Sequence, residues 1–197
     1  RLASEGVKEL VLVAQETTLY GKDLTGEKQL PLLLHELCKI EGIEWIRLLY
    51  CYPEEITDEL IKVIKTEEKV CNYIDMPIQH SENRILQRMG RRTSREDLVA
   101  VIKKLRKEIP DITIRTTLIT GFPGESQEDH EGLMNFVEEC QFDRLGVFTY
   151  SPEEDTLAAT FEDQIDEEVK EERRDELMSL QQEISYEHTQ QLVGKTI

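Results

Sequence analysis

The sequence predicts an α/β protein whose strands form a parallel sheet or an incomplete barrel. Short apolar or β-branched segments alternate with amphipathic helical segments along the 197 residues. Five predicted strands alternate with helices, which is the order of right-handed βαβ crossovers. A closed eight-fold barrel needs about 250 residues, so this chain is too short to form one.

The first two predicted strands are each followed by an amphipathic helix. Residues 9–14 form an apolar run typical of a strand buried in a parallel sheet. After a polar loop at 15–26, apolar residues repeat on one helical face over 30–38. Residues 45–50 form the second strand, and the apolar positions at 56–64 indicate the second helix.

The middle of the chain adds one strand and two helices. Residues 72–76 form a short strand that runs into a loop at 77–80. Helical patterns follow at 83–89 and 94–108, with a basic cluster at 88–92 between them. In this acidic chain, the cluster is either a docking patch or a solvated helix end.

The remaining elements are organised around a glycine-containing turn. The β-branched run 112–119 predicts a strand, which ends in Gly121-Phe-Pro-Gly124, and Ser126 then caps a helix. This arrangement offers a site for a polar or anionic small molecule, although ordinary strand-to-helix connections share the pattern. Residues 144–150 form the last strand, and 166–192 form a highly charged helix.

Composition restricts the partners of this chain. The net charge of −17 disfavours a module that grips nucleic-acid phosphates, because such binding depends on basic surface. An acidic surface suits a basic partner, although many acidic surfaces serve only solubility. The sequence contains no apolar run of membrane-spanning length and no signal-peptide pattern. We therefore expect a cytoplasmic protein with no membrane role.

The cysteines and the first residues each support one further expectation. None of the four cysteines (Cys38, Cys51, Cys71 and Cys140) has zinc, redox or iron–sulfur spacing, so we expect reduced thiols and no metal ligands. Residues 1–6 are typical of a helix tail closed by a glycine cap, so we expect the chain to be part of a longer protein.

Polar or turn-forming residues follow every predicted strand. In parallel α/β folds, ligand-binding groups gather at the carboxyl ends of strands. The residues at these positions are Gln15, Glu16, Tyr50, Tyr52, Gln79, His80, 120–125 and 150–154. The sequence therefore predicts one active-site face.

Five motifs in order carry a family resemblance. They are Val13-Ala-Gln-Glu-Thr-Thr-Leu-Tyr-Gly21, Arg47-Leu-Leu-Tyr-Cys-Tyr-Pro53, Asp75-Met-Pro-Ile-Gln-His80, Leu118-Ile-Thr-Gly-Phe-Pro-Gly-Glu125 and Phe142-Asp-Arg-Leu-Gly-Val-Phe-Thr-Tyr-Ser-Pro-Glu-Glu154. Together they resemble the radical S-adenosylmethionine (SAM) methylthiotransferases. Within that family they are most similar to the enzymes that modify an aspartate of ribosomal protein S-twelve of the small subunit.

The resemblance implies a partial (β/α)6 TIM-like barrel of the radical SAM type that lacks its first strand in this chain. It implies SAM as methyl donor and radical source. It also implies two 4Fe–4S clusters in the full-length enzyme, with their ligands outside this chain. The barrel would occupy 1–165 and the charged helix 166–197, where 190–197 resembles the junction to a substrate-binding β-domain. The chain alone would then be inactive.

The resemblance also implies site residues, while the catalytic residues stay unknown. Cofactor-binding positions are Gln15 and Glu16 at the amino-acid end, then Arg115, Thr117, Ile119, Gly121 and Phe122 near the ribose and adenine, and Phe148 and Tyr150 at the adenine edge. Gln79 and His80 would face the substrate channel. Arg115 suits a carboxylate, with a salt bridge as the alternative, and a structural hydrogen-bonding role is the alternative for His80.

The loop after the last strand departs from the family. The family usually reads Ser-Pro-Glu-Glu-Gly-Thr-Pro, whereas this chain has Asp155 and Leu157 in place of the glycine and second proline. Aspartate tolerates left-handed backbone angles, so the turn can persist.

Three functions compete at this stage. The first is modification of the ribosomal protein as substrate, the second is modification of tRNA, and the third is a non-catalytic acidic scaffold or a barrel with another ligand. The residues of the motifs favour the first function, and the net charge of −17 agrees with a basic protein partner. An open barrel side exposes strand edges, so we also expect some self-association.

Overall fold

The structure is a computed structural model that describes residues 1–195. The strands are β1 (Glu9–Leu12), β2 (Trp45–Leu48), β3 (Val70–Asp75), β4 (Thr113–Thr120) and β5 (Arg144–Thr149). The helices are α1 (Lys22–Thr25), α2 (Leu30–Cys38), α3 (Asp58–Thr66), α4 (Asn83–Arg88), α5 (Arg95–Glu108), α6 (Gln127–Cys140) and α7 (Glu167–Leu192). The last two residues of the predicted junction at 190–197 lie outside the described residues.

The α/β fold predicted from the sequence is confirmed. The five strands form a parallel sheet in sequence order, β1-β2-β3-β4-β5, and within residues 1–195 this sheet does not close into a barrel. Each predicted strand is present with its ends within two residues of the predicted bounds. Over the same residues, no helix has the length and apolar character needed to cross a membrane.

The chain divides into two compact units, and the first comprises residues 1–77 and 100–114. β1 pairs with β2 in register from Glu9↔Trp45 to Leu12↔Leu48, and β2 pairs with β3. Ile46, Leu48 and Ile74 are completely buried, and α3 packs against both β3 and α2.

Within the described chain, the second unit comprises residues 78–99 and 115–195. β4 pairs with β5 in register from Arg115↔Arg144 to Thr120↔Thr149. α7 packs against both β5 and α6. Its core includes Phe136 and Phe142, whose ring centroids are 6.0 Å apart.

The segment predicted as a polar loop at 15–26 differs from the prediction. It contains a 3-10 turn, Thr17–Leu19, followed by the short helix α1. Gly21 and Gly26 flank α1 with φ of 84° and 81°, a left-handed conformation that starts and stops a single helical turn. Periodicity cannot detect so short an element because one turn contains no repeat.

The glycine cap predicted near the first residues is confirmed. Gly6 has a φ of 92°, and its N–H donates to the carbonyl oxygen of Ala3. The preceding element is a 3-10 turn, Ala3–Glu5, within the described residues.

Candidate functional site

The predicted glycine turn connects β4 to α6. Gly121 and Gly124 have φ of 67° and 82°, where a side chain would be strained. Ser126 caps α6 through a capping box: its Oγ accepts a hydrogen bond from the Asp129 N–H, and Asp129 Oδ2 accepts one from the Ser126 N–H. The strand, the turn and the helix start therefore hold one another in a fixed arrangement.

Asp129 is also an electrostatic anchor for this helix start. Burial by itself would raise the pKa of the Asp129 carboxyl group. Hydrogen bonds from Ser126 and the ion pair with Arg84 together outweigh this effect, so the net result is a lowered pKa. Arg84 also donates to the carbonyl oxygen of Gly124 at 2.7 Å. Arg84 thus ties α4 to the glycine turn.

The buried carboxylate of Glu125 closes the turn on itself. Its Oε2 accepts a hydrogen bond of 2.9 Å from the Gly121 N–H. His80 Nε2 lies 3.4 Å from the same oxygen, and His80 Nδ1 accepts a hydrogen bond from the Glu82 N–H. Because His80 is fully buried by these groups, its position favours the structural alternative over a substrate-facing role.

A cavity of about 550 Å³ lies beside the turn, within the range typical of small-molecule sites. Its walls combine aromatic and aliphatic groups with a few polar ones. The residues that line it are Gln79, Arg88, Met89, Gly90, Arg91, Ile119, Phe122, Tyr150, Ser151, Leu157, Ala158 and Phe161. Four predicted site residues (Gln79, Ile119, Phe122 and Tyr150) therefore come together here.

Aromatic side chains form the apolar part of the cavity wall. The Phe122 ring meets the Tyr150 ring edge to face, with centroids 5.2 Å apart, and lies 6.3 Å from the Phe161 ring. The Arg88 guanidinium stacks over Phe161 at 4.6 Å and pairs with Asp163 at 2.7 Å. Arg88 is thus packed into the cavity wall, unlike a solvated helix end.

Three polar atoms of cavity-lining residues are buried without a hydrogen-bond partner within residues 1–195, and one of them is Arg88 Nε. The other two are the hydroxyl oxygen of Tyr150, a side chain that is 9% exposed, and Oε1 of Gln79. A buried polar atom without a partner costs about 1–3 kcal/mol, so a ligand that supplies the missing bonds would gain that energy. The cavity therefore fits a ligand with an apolar planar part and hydrogen-bonding groups at its edge.

Gln79 is held in a strained conformation by the strand beside it. Its φ is 70°, although it is not a glycine. Its N–H donates to the Thr117 carbonyl oxygen at 2.9 Å, and its carbonyl oxygen accepts from the Ile119 N–H at 2.8 Å. Such strain is typical of functional sites, where surrounding bonds fix a side-chain direction.

The other predicted residues of this unit lie on one face of β4 and β5. Every second residue of β4 lies on this face, which gives Arg115, Thr117 and Ile119, and all three are half-buried. In the register, Ile119 lies opposite Phe148, which is 61% exposed. This face is therefore an accessible surface that continues from the cavity through Ile119.

In the first unit, the structure distinguishes Gln15 from Glu16. Gln15 is exposed, whereas Glu16 lines two cavities of about 660 and 360 Å³. Burial raises the pKa of Glu16; a hydrogen bond from Thr18 opposes this, and the neighbouring carboxylates of Glu55 and Glu54 add to it. Glu16 is thus the better placed of the two to accept hydrogen bonds from a cationic group.

The cysteines are not arranged to bind a metal. All four are free thiols, and residues 1–195 contain no group of three or more His, Cys, Asp or Glu side chains that could hold a metal ion. Burial raises the pKa of Cys51 to about 12, with further increases from the charges of Asp75 and Glu16, so its thiol stays protonated. These residues do not fit an iron–sulfur cluster.

Comparison with known proteins defines the class of this chain. The model of the radical SAM superfamily matches residues 1–137, and the chain belongs to this superfamily. Enzymes of the superfamily use SAM and a 4Fe–4S cluster.

Several curated relatives of the chain carry the name "Ribosomal protein uS12 methylthiotransferase RimO". Those from Lachnoclostridium phytofermentans, Clostridium perfringens (strain 13 / Type A) and Desulfitobacterium hafniense (strain Y51) are 62%, 58% and 55% identical over 196, 195 and 196 residues. The matches cover 100%, 99% and 100% of this chain but only 44% of each relative. The chain thus spans less than half the length of these relatives.

Solved structures agree on the fold. The radical SAM methyltransferase TsrM from Kitasatospora setae matches 75% of this chain and 28% of its own chain, with a TM-score of 0.58 and 17% identity. Elp3 from Methanocaldococcus infernus matches 88% of this chain and 44% of its own, with a TM-score of 0.57 and 14% identity. At these identities the likeness concerns the fold alone.

Proposed function

We propose that this chain is the SAM-binding barrel part of a methylthiotransferase that adds a methylthio group to an aspartate of ribosomal protein S-twelve. The observation that carries the proposal is the identity of 55–62%, over essentially the whole chain, to relatives named for that activity. The five sequence motifs lie within this match, and three of them contain residues that line the cavity beside the glycine turn.

The residues of the cavity fit the nucleoside part of SAM. Ile119, Phe122 and the aromatic wall provide an apolar surface for a purine, and the unpartnered Tyr150 hydroxyl and Gln79 Oε1 provide groups for its polar edge. We assign Arg115, Thr117 and Phe148 to the continuing strand face, where Arg115 suits a carboxylate.

The amino-acid part of SAM needs an acceptor for its ammonium group. We assign this role to Glu16, which lines its own cavities, and keep Gln15 as a weaker candidate because it lines neither. When bound, SAM supplies the methyl group and the source of the radical.

We place the ligands of two 4Fe–4S clusters in the parts of the full-length protein outside this chain. Residues 1–195 contain no suitable ligand set, so this chain alone would perform no radical chemistry. The proposed division, a barrel at 1–165 and a linking helix from 166, places α7 between the barrel and the substrate-binding part.

A basic ribosomal protein is a better partner for this chain than tRNA. The chain carries a net charge of −17, and RNA phosphates require basic surface whereas a basic protein is attracted to an acidic one. A ribosomal substrate also implies that the protein acts in the cytoplasm.

Self-association of the isolated chain stays a prediction, and light scattering would test it.

The test uses the full-length protein, reconstituted without oxygen. Iron and sulfide are quantified, and mass spectrometry then searches for methylthio addition on the ribosomal protein and on tRNA in parallel. Modified protein supports the proposal, whereas modified tRNA alone would replace the proposed substrate. Absence of both iron and product would contradict the enzymatic function.

The cofactor assignment has a separate test in Tyr150→Phe, which removes only the unpartnered hydroxyl. We expect this change to weaken SAM binding about fivefold to tenfold, as loss of one hydrogen bond does. Tyr186→Phe is the matched control, because Tyr186 is 65% exposed. Equal affinities in calorimetric titrations of the two variants would remove Tyr150 from the site.

A further inference from the structure

Two basic side chains of α7 are buried although they belong to a highly charged helix. Lys170 is 2% exposed and Arg173 is 7% exposed. They lie three residues apart, so both project from one face of the helix. Long cationic side chains are rarely buried unless they are paired, and both of these have partners near the glycine turn.

Arg173 binds the carboxylate that closes the turn. Its Nη1 donates to Glu125 Oε1 at 2.8 Å and to the Glu125 carbonyl oxygen at 3.1 Å. The other carboxylate oxygen, Oε2, accepts from the Gly121 N–H. Glu125 therefore connects α7 directly to Gly121, the first residue of the turn.

Lys170 binds the ends of both strands of this unit. Its ammonium donates to the Tyr150 carbonyl oxygen at 3.0 Å and to Glu167 Oε1 at 2.6 Å. Its aliphatic stem covers Gly121 so closely that a Cβ there would overlap Lys170 Cγ. The Thr120 hydroxyl donates to the Lys170 carbonyl oxygen at 3.3 Å.

These contacts fix the positions of the glycine turn and the end of β5 more than they add to the stability of the fold. Burying charged groups is costly and is repaid only when their hydrogen bonds are well aligned. Elsewhere along α7, Leu177 and Ile184 supply ordinary apolar packing. Lys170 and Arg173 are therefore placed where alignment matters, at the base of the cavity wall formed by Phe122 and Tyr150.

We propose that Lys170 and Arg173 are positioning residues for the cofactor cavity. Neither is among the described residues that line the cavity. Through Glu125 and the Tyr150 carbonyl they hold the turn and the end of β5, and with them the rings of Phe122 and Tyr150. The assignment of SAM as the ligand rests on the proposed function, but the positioning itself does not depend on it.

The experiment compares Arg173→Met with Arg174→Met in the full-length protein. Arg174 is the next residue on α7, is partly exposed and pairs with Asp175, so its variant controls for loss of a cation from the same helix. We expect Arg173→Met to weaken SAM binding about tenfold, the effect of one lost charged hydrogen bond, and Arg174→Met to change it less than about twofold. Arg173→Lys, which keeps the charge, should recover part of the affinity.

Hydrogen exchange of the ligand-free protein supplies a readout independent of SAM. In Arg173→Met, the amides of residues 121–122 and 124–126 should exchange faster, while those around Phe136 in the α6 core should not change. Loss of global stability would instead accelerate both regions. Unchanged exchange in the turn together with unchanged affinity would overturn the proposal.

The SAM-binding measurement and the hydrogen-exchange measurement together distinguish this proposal from the assignment of SAM as the ligand. If the wild-type protein does not bind SAM, the cofactor assignment fails, and faster exchange of the turn in Arg173→Met still supports the positioning role. If Arg173→Met does not fold, Lys170→Met takes its place because it keeps the stem over Gly121 and removes only the ammonium. Unchanged exchange of the turn in that variant would overturn the proposal.

Discussion

Replacing Gly121 with alanine would introduce two separate costs into the glycine turn. The residue has a φ of 67°, and an alanine in the left-handed region costs about 1–2 kcal/mol. The new Cβ would overlap Lys170 Cγ and lie 2.9 Å from Lys170 Cβ, and overpacking of this kind costs about 1–3 kcal/mol. We expect a total loss of about 2–5 kcal/mol in the local stability of the turn.

Gly26→Ala is the matched control for the backbone cost. Gly26 has a φ of 81°, and a Cβ built there meets no described heavy atom within 4 Å. Its replacement should therefore cost only the backbone term of about 1–2 kcal/mol. The difference between the two variants measures the steric term against Lys170.

Native-state hydrogen exchange of the full-length protein is the assay, because it reports the opening free energy of each segment separately. A double-mutant cycle with Lys170→Ala extends it, since alanine lacks the Cγ and Cδ atoms that the new Cβ would meet. We expect Gly121→Ala to cost less in the Lys170→Ala background. Equal costs for Gly121→Ala and Gly26→Ala, with no coupling in the cycle, would refute the close packing of α7 on the turn.

Three further predictions follow from the capping box, the Asp129 carboxylate and Cys51. Ser126→Ala removes the capping-box hydrogen bond that Ser126 Oγ accepts from the Asp129 N–H and should cost about 1 kcal/mol in urea unfolding, whereas Ser179→Ala, at an exposed serine of α7, should cost less. The pKa of Asp129 is lowered from its ordinary 3.8, so its carboxylate stabilises the fold above that value and this stability is lost as pH falls through the lowered pKa. The stability difference between wild type and Asp129→Asn should therefore shrink as pH falls below 3.8 and through the lowered pKa, and a constant difference would contradict the role of the charge. With a pKa of about 12 and full burial, Cys51 should resist alkylation in the native protein until it unfolds; mass spectrometry showing Cys51 labelled as fast as the partly exposed Cys38 would contradict this.

The order and type of the elements follow from local patterns in the sequence. Apolar runs and the β-branched alternation of β4 identify strands because side-chain burial repeats with the period of the backbone. Ser126 identifies the start of α6 because a cap depends on neighbours only three residues away. Asp155, expected to adopt left-handed angles in place of the family glycine, has a φ of 65°.

Some site residues also followed from the sequence, from their position after a strand or, for Ile119, from the family resemblance. Gln79, Ile119, Phe122 and Tyr150 line one cavity, and the glycine turn stands beside it. Their binding roles stay predictions until a ligand is titrated. Arg88 and Phe161 also line the cavity, but neither was assigned to the site from the sequence. The signal for Phe161 in the sequence was an aromatic residue shortly after the loop that contains Asp155 and Leu157.

The sequence by itself thus determined the fold class, the family and the position of the glycine turn. Only the tertiary structure decided that His80 is buried beneath Glu125 and that the Tyr150 hydroxyl lacks a partner within the described chain. It alone also showed the burial of Lys170 and Arg173, which in sequence are ordinary members of a charged helix. The physical reason is that burying a charge depends on its partner, and the partner of Arg173 is 48 residues away in the chain.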